Sequence, residues 1–206
     1  MHPDTNPAPA ATLIIPLQSV VERLDLGRLF PRPQPLEVEL GSGDGSFLAQ
    51  YAAAHPERNF IGVERLLGRL RKLDRKARRL GLENLRCARI EAAYFLEYLL
   101  PPATAQALHV YFPDPWPKRR HQKHRLINER FPGLACLALA GGGAVYLRTD
   151  DAAYFAQMKA VFPACPSFEE TPTPEDLAAA QTDFERDFLA RGVGALRLAF
   201  RKIKHQ

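Results

Sequence analysis

A chain of 206 residues with 46% hydrophobic and 25% charged residues has the length and composition of one globular domain with a sizeable core, which excludes a disordered or fibrous protein. Its net charge of +5 leans towards an acidic partner, and no apolar run is long enough to span a membrane. The three cysteines, Cys87, Cys136 and Cys165, lie too far apart for a metal knuckle and are odd in number, so a reducing cytoplasm is expected rather than a disulfide framework.

Residues 1–18 read as a tail, Pro/Ala-rich and disordered over 2–11, and residues 19–206 as a single domain. The apolar run at 13–17 is broken by Pro16 and has no basic flank, so it is not read as a signal peptide. Residues 19–30 place Val20, Val21, Leu24, Leu26 and Leu29 on a helical period behind Ser19 as a candidate cap, and Pro31, Pro33 and Pro35 stop that helix.

Residues 36–40, Leu-Glu-Val-Glu-Leu, predict a strand that runs into the turn Gly41-Ser42-Gly43-Asp44-Gly45 and then a helix over 46–55. Strand, glycine turn and helix together form the nucleoside or phosphate cradle of an open α/β sheet. The spacing is G-x-G-x-G, not the G-x-G-x-x-G of a dinucleotide fold, and Glu39 precedes it. A second buried strand at 59–64 ends in Glu64, about 20 residues past the glycines, where a carboxylate can accept two ribose hydroxyls; the alternative is a first-turn acid favourable to the next helix's dipole, and the glycine turn at this distance favours ribose.

Residues 65–80 predict a helix with an apolar stripe of Leu66, Leu70, Leu73, Ala77 and Leu80. Its other face is crowded with cations, which reads either as a solvated surface or as a phosphate contact, and Gly81 caps its end. A third strand at 84–90 precedes Glu91, which reads equally as a helix-start acid or as an acceptor for an adenine amino group. A short helix at 92–100 ends at Pro101 and Pro102, and a fourth strand occupies 107–112.

That strand feeds the most distinctive stretch of the chain, Tyr-Phe-Pro-Asp-Pro-Trp-Pro-Lys-Arg-Arg-His-Gln-Lys-His-Arg at 111–125. Its three prolines make a stiff loop that cannot continue the sheet, and it presents one acid, Asp114, the single tryptophan, Trp116, and a dense run of cations. A helix is expected over 126–140, capped by Gly141, Gly142 and Gly143, then a fifth strand at 144–148 ending at Asp150. A helix at 152–162, at most a short strand within 163–170 and a linker at 171–174 follow. Thr182-x-x-Glu185 is a capping box opening a helix to 191, and residues 195–202 alternate as a closing antiparallel strand. In this arrangement Glu39, Glu64, Glu91, Asp114 and Asp150 all fall at carboxyl ends of strands, the ligand-binding edge of an open α/β sheet.

Glu39-Leu-Gly41-Ser-Gly43-Asp-Gly45, Gly62-Val-Glu64, Phe112-Pro-Asp114-Pro-Trp116-Pro-Lys118, His121-x-Lys123-x-Arg125, Thr149-Asp150 and Thr182-x-Phe184-Glu185 resemble the bacterial tRNA (guanine-N7)-methyltransferases. The resemblance implies a class I methyltransferase fold, a Rossmann-like three-layer α/β sandwich with a mostly parallel seven-stranded sheet. It implies S-adenosyl-L-methionine as methyl donor and the variable-loop guanine of tRNA as acceptor. Glu39, Gly41, Gly43, Glu64, Glu91 and Asp114 would then bind the cofactor, with Asp114 also the catalytic acid. Lys118, Asp150, Thr182, Asp183, Phe184 and Glu185 would contact the substrate. Arg119, Arg120, His121, Lys123 and Arg125 would bind RNA. The expected partners are tRNA alone, with no membrane and no metal, for a monomer or homodimer. Two positions depart from the family pattern: Glu91 stands where Asp is usual, and His124 where a second cation is usual.

Overall fold

The computed structural model describes residues 12–182, 185–186 and 194–204. Seven strands form one sheet: β1 (Leu36–Leu40), β2 (Asn59–Val63), β3 (Leu85–Ala88), β4 (Ala105–Tyr111), β5 (Leu139–Thr149), β6 (Phe168–Glu170) and β7 (Leu196–Lys202). Their order across the sheet is β3-β2-β1-β4-β5-β7-β6, with β7 antiparallel to both its neighbours. The chain winds outward from β1 to β3, then returns to β4 on the other side of β1. The two halves therefore part between β1 and β4, the place where open α/β sheets leave a crevice at their carboxyl edge.

Helices cover both faces. The helices α2 (Leu48–Ala54) and α3 (Leu67–Arg79) bury Leu48, Leu70 and Leu73 against Phe60 and Leu85 on one face. On the other lie α4 (Ala92–Tyr94), a π-helical turn Phe95–Leu99, α5 (Phe131–Ala138) and α6 (Ala152–Val161), which contribute Phe95, Phe131, Tyr154 and Met158. The three-layer sandwich and its mostly parallel seven-stranded sheet are thus as the sequence implies.

Two glycines let α2 and α3 sit close over the sheet. A Cβ at Gly62 would lie 2.7 Å from Leu73 and 2.8 Å from Leu48, and one at Gly45, where φ is +77°, would overlap Leu73. The expected glycine cap of α3 is a full Schellman ending: Gly81 has φ +65°, Leu82 N–H donates to Ala77 O and Gly81 N–H to Arg78 O.

Several expectations are corrected. Residues 12–15 are no tail: Ile14 bridges Cys87 in parallel, and Leu13 N–H donates to the buried Asp74 carboxylate at 2.7 Å. The open edge of β3 offers unpaired backbone groups, and this short apolar stretch satisfies them. Of the helix expected at 19–30 only α1 (Leu26–Leu29) forms, capped by Asp25. Ser19 instead folds a tight turn, its Oγ accepting from the N–H groups of Val21 and Glu22, and Val21 is left 76% exposed. The helix expected at 126–140 is confined to α5, because Pro132 fits a helix's first turn and not its interior. Gly141 to Gly143 lie inside β5 at a bulge against β4, not in a cap; a Cβ at Gly143 would meet Gln106 O at 3.0 Å. An unexpected helix, α7 (Glu175–Ala179), follows Pro174 and anchors through Leu177. Residues 2–11 and the helix expected to run to 191 fall on or extend into positions outside those described. Among the described residues no helix is long and apolar enough to cross a membrane.

Candidate active site

The crevice between β1 and β4 opens into a cleft of about 630 Å³. The turn after β1, the ends of β2 and β3, and the Pro-rich loop after β4 supply its walls. Gly41, Glu64, Glu91, Asp114 and His121 line it together, with Tyr111, Trp116, Arg65, Arg69 and His124 beside them. Four strand ends distant in sequence thus meet at one space, and three of them bring a carboxylate to it.

The turn is built to stay open. Gly41 and Gly43 have φ of +82° and +56°, and a Cβ on either would meet nothing within 4 Å. The left-handed backbone at these two positions is what requires glycine. Glu64 braces the turn from β2: one carboxylate oxygen accepts from Gly43 N–H at 3.2 Å and the other from Leu66 N–H at 2.7 Å. Each oxygen retains a lone pair, so two hydroxyls can still be accepted. Glu91 caps α4, accepting from Ala93 and Tyr94 N–H at 3.0 and 2.8 Å. It is thus a helix cap and a cleft-lining acid at once.

Glu39 lies beneath this turn, 4% exposed, and its Oε2 has no hydrogen-bond partner among the described residues. Burial pushes its carboxyl up to about 8; Arg148 opposes the rise, while Asp44 and Glu64 add to it. A buried carboxyl lacking a donor is a receptor for a cation or a hydrogen-bond donor.

The loop after β4 is held in an uncommon backbone. Phe112 and Trp116 both have positive φ, +49° and +43°, and each stands directly before a proline. Backbone of this kind in a non-glycine residue persists only where the surroundings over-determine it. Phe112 N–H is fixed to Arg148 O at 2.8 Å. From the far end of the loop Arg125 reaches back: its Nε donates to Pro115 O at 2.7 Å, another nitrogen to Gln157 at 2.7 Å, and its guanidinium lies 4.7 Å from the Tyr154 ring centroid. Arg125 is 3% exposed and so does not join the outward cations. Expected to bind RNA, it here serves as a pin for the Asp114 loop. The residues Lys118, Arg119, Arg120 and Lys123 are exposed around a 3₁₀ turn, Arg119–His124, while His121 and His124 pack on Trp116 with ring centroids 5.9 and 5.4 Å away. Asp114 itself faces the cleft without a hydrogen bond or ion pair to any described residue.

Of the remaining expected substrate contacts, Asp150, Thr182 and Glu185 lie outside the cleft lining. Asp150 is exposed at the end of β5; the neighbouring Asp151, not Asp150, caps α6 through Tyr154 N–H. Thr182 and Glu185 form the expected capping box, with Glu185 N–H on Thr182 Oγ1 at 3.0 Å and Thr182 N–H on Glu185 at 2.9 Å. Both are buried, and Glu185 also pairs with Arg148 at 2.7 Å and Arg197 at 3.0 Å. Asp183 and Phe184 fall outside the described residues.

Two buried groups escaped sequence reasoning. Arg148, 2% exposed, donates to Ala180 O and Leu177 O and lies 4.2 Å from the Tyr111 ring centroid. Glu37 and His109 bond at 2.8 Å in the sheet, His109 bonds Tyr111 on its other nitrogen at 2.8 Å, and Arg58 closes on Glu37 at 2.9 Å. Burial pushes the Glu37 carboxyl up, but the hydrogen bond and charge of His109, with Arg58, outweigh it and hold the group below its ordinary value. The only available signal was a second glutamate inside a central strand, which must find a partner.

Comparison with known proteins adds to this geometry. Residues 33–198 match the family model Methyltransf_4, described as "Putative methyltransferase". A tRNA (guanine-N(7)-)-methyltransferase of Alkalilimnicola ehrlichii is 36% identical over 186 residues, covering 88% of this chain and 78% of the relative. One of Halorhodospira halophila is 38% identical over 174 residues, covering 82% and 75%. Among solved structures, the 16S rRNA methyltransferase KamB superposes with a TM-score of 0.64 at 17% identity over 88% of this chain and 95% of its own. TrmN from Thermus thermophilus gives 0.61 at 18% over 84% and 45%; at these identities the likeness is one of fold.

Proposed function

The chain belongs to the tRNA (guanine-N(7)-)-methyltransferases, and from that membership we propose that it methylates N7 of the variable-loop guanine of tRNA, using S-adenosyl-L-methionine in the cleft between β1 and β4. The observation that carries the reading is the convergence of Glu64, Glu91 and Asp114 on one cleft, beside the buried Glu39, whose Oε2 has no partner among the described residues.

The residues present suit this cofactor. S-adenosyl-L-methionine supplies an electrophilic methyl group on a sulfonium and carries an ammonium at its amino-acid end. Glu39 complements the ammonium, since its orphaned oxygen has no donor among the described residues. Gly41 and Gly43 leave room for backbone approach, Glu64 keeps lone pairs for the ribose hydroxyls, and Glu91 faces the cleft from the end of β3 as an acceptor for the adenine amino group.

Guanine N7 is a Hoogsteen-edge acceptor with a free lone pair, so no general base is needed. The protein's task is to hold N7 in line with the donor carbon and to stabilise positive charge as it passes to the purine. We assign both tasks to Asp114, which lines the cleft on a loop that the Arg125 pin on Pro115 fixes. Trp116 offers a stacking face beside it. Lys118, Asp150 and Thr182–Glu185 are proposed to contact the substrate nucleotide, with Arg119, Arg120, His121 and Lys123 on the RNA backbone.

The test is transfer of labelled methyl from S-adenosyl-L-methionine to an unmodified tRNA transcript, beside the same transcript carrying 7-deazaguanine at the variable-loop position. Label in the first alone is expected; label in both would discard the target atom. Asp114→Ala should lower kcat by about a hundredfold, the usual scale for one electrostatic stabiliser of a transition state. Near-normal turnover in that variant would sink the assignment.

A further inference from the structure

From Arg65 to Arg79 the chain carries eight cations against one acid, Asp74. Asp74 is turned inward, where it holds Thr12, Leu13 and Arg78, and Lys76 pairs with Asp44. The other six, Arg65, Arg69, Arg71, Lys72, Arg75 and Arg79, are exposed and make no ion pair or hydrogen bond with any described residue. Arg71 and Arg75, and Arg75 and Arg79, are i,i+4 pairs of like charge, which destabilise a helix instead of supporting it. An ordinary solvated helix face mixes signs and avoids this cost.

The position of the stripe shows what repays it. Arg65 and Arg69 line the cleft itself, so the cations begin at the rim through which a base must enter. From there α3 carries them away along its 13 residues, about 20 Å at 1.5 Å per residue. Across the cleft stand the exposed Arg119, Arg120 and Lys123, giving a cationic bank on either side. Five of the six free cations of the stripe are arginines, whose planar fork suits phosphate oxygens.

We infer that the outer face of α3 is a second docking surface for tRNA, gripping backbone phosphates away from the target guanine while the loop after β4 holds those beside it. The inference rests on the tRNA reading above and extends it to a surface that the catalytic site does not use.

The test combines Arg71→Gln, Lys72→Gln, Arg75→Gln and Arg79→Gln and leaves the cleft-lining Arg65 and Arg69 in place. Glutamine keeps helix propensity, and all four sites are exposed, so a melting temperature at or above wild type is expected. Affinity for full-length tRNA is measured across a salt series, with steady-state methyl transfer alongside. Loss of four phosphate contacts should flatten the log–log salt slope by about three units. The KM for tRNA should rise tenfold or more, with kcat at saturating tRNA within twofold and cofactor affinity unchanged. An unaltered slope and KM in a variant whose wild type methylates tRNA would overturn the docking surface and leave the function standing. A wild type that transfers no methyl to tRNA would remove the functional reading, and the slope comparison would still decide whether α3 holds RNA.

Discussion

Glu39→Gln is expected to stabilise the ligand-free protein above neutral pH and, in the same variant, to cost most of its cofactor affinity. The Glu39 carboxyl is pushed up to about 8 by burial, against an ordinary value of 4.5. Between these values the unfolded chain has lost the proton and the folded protein keeps it. Stability is therefore fully present below pH 4.5 and declines as pH rises to 8, by roughly 4–5 kcal/mol at most for a shift of this size. Glutamine cannot ionise, so variant and wild type should unfold alike near pH 4.5 and diverge as pH approaches 8.5. Denaturant unfolding at the two pH values measures the divergence, and an equal difference at both would remove the argument.

The same burial gives cofactor binding a pH signature. If the ammonium of S-adenosyl-L-methionine meets ionised Glu39, binding must first expel the proton, so wild-type affinity should fall by up to tenfold for each pH unit below about 8. The Gln variant should lack that dependence and bind about ten- to a hundredfold more weakly at pH 8, the loss of one charge-assisted hydrogen bond. Titration calorimetry in buffers of different ionisation enthalpy reads proton release directly. Release undiminished in the variant would place the cation elsewhere in the cleft.

What could be read from the sequence follows the range of the interactions involved. The turn after β1 and the ending of α3 were legible because glycines at positive φ report a local backbone need, satisfied within a few residues. The capping box at Thr182 was legible for the same reason. The Arg125 pin was not: a cation at the end of a basic run looks solvated, and its partners Pro115 and Gln157 lie 10 and 32 residues away. Glu37 was hidden similarly, since its partner His109 is 72 residues on. Gly141 to Gly143 misled because glycine serves helix caps and strand bulges alike, and only the close approach of Gln106 O distinguishes them. Five strand-end acids were visible as a row; the sheet order that gathers three of them into the cleft, with Glu39 buried beneath it, was not contained in any one of them.

Arg148→Met should be the most damaging single change outside the cleft lining. Its guanidinium serves Glu185, Ala180 O and Leu177 O, and both ends of the ion pair are 2% exposed. Removing it leaves Glu185, among the described residues, with Arg197 as its one cation, whose side chain is one-third exposed, and takes a donor from two carbonyls. Breaking a buried pair from one side costs about 3–5 kcal/mol, because a charge stays behind in low dielectric. Adding Glu185→Gln should restore part of that loss by removing the stranded charge, and denaturant midpoints of the single and double variants test both steps. A loss below 1 kcal/mol in Arg148→Met would mean that Arg197 suffices. Arg148 also opposes the upward shift of Glu39. Its removal should push the Glu39 carboxyl higher still, so cofactor affinity in the variant should level off at a higher pH than in the wild type. One buried arginine would then couple the capping box at Thr182, proposed to meet the nucleotide, to the carboxylate proposed to hold the methyl donor.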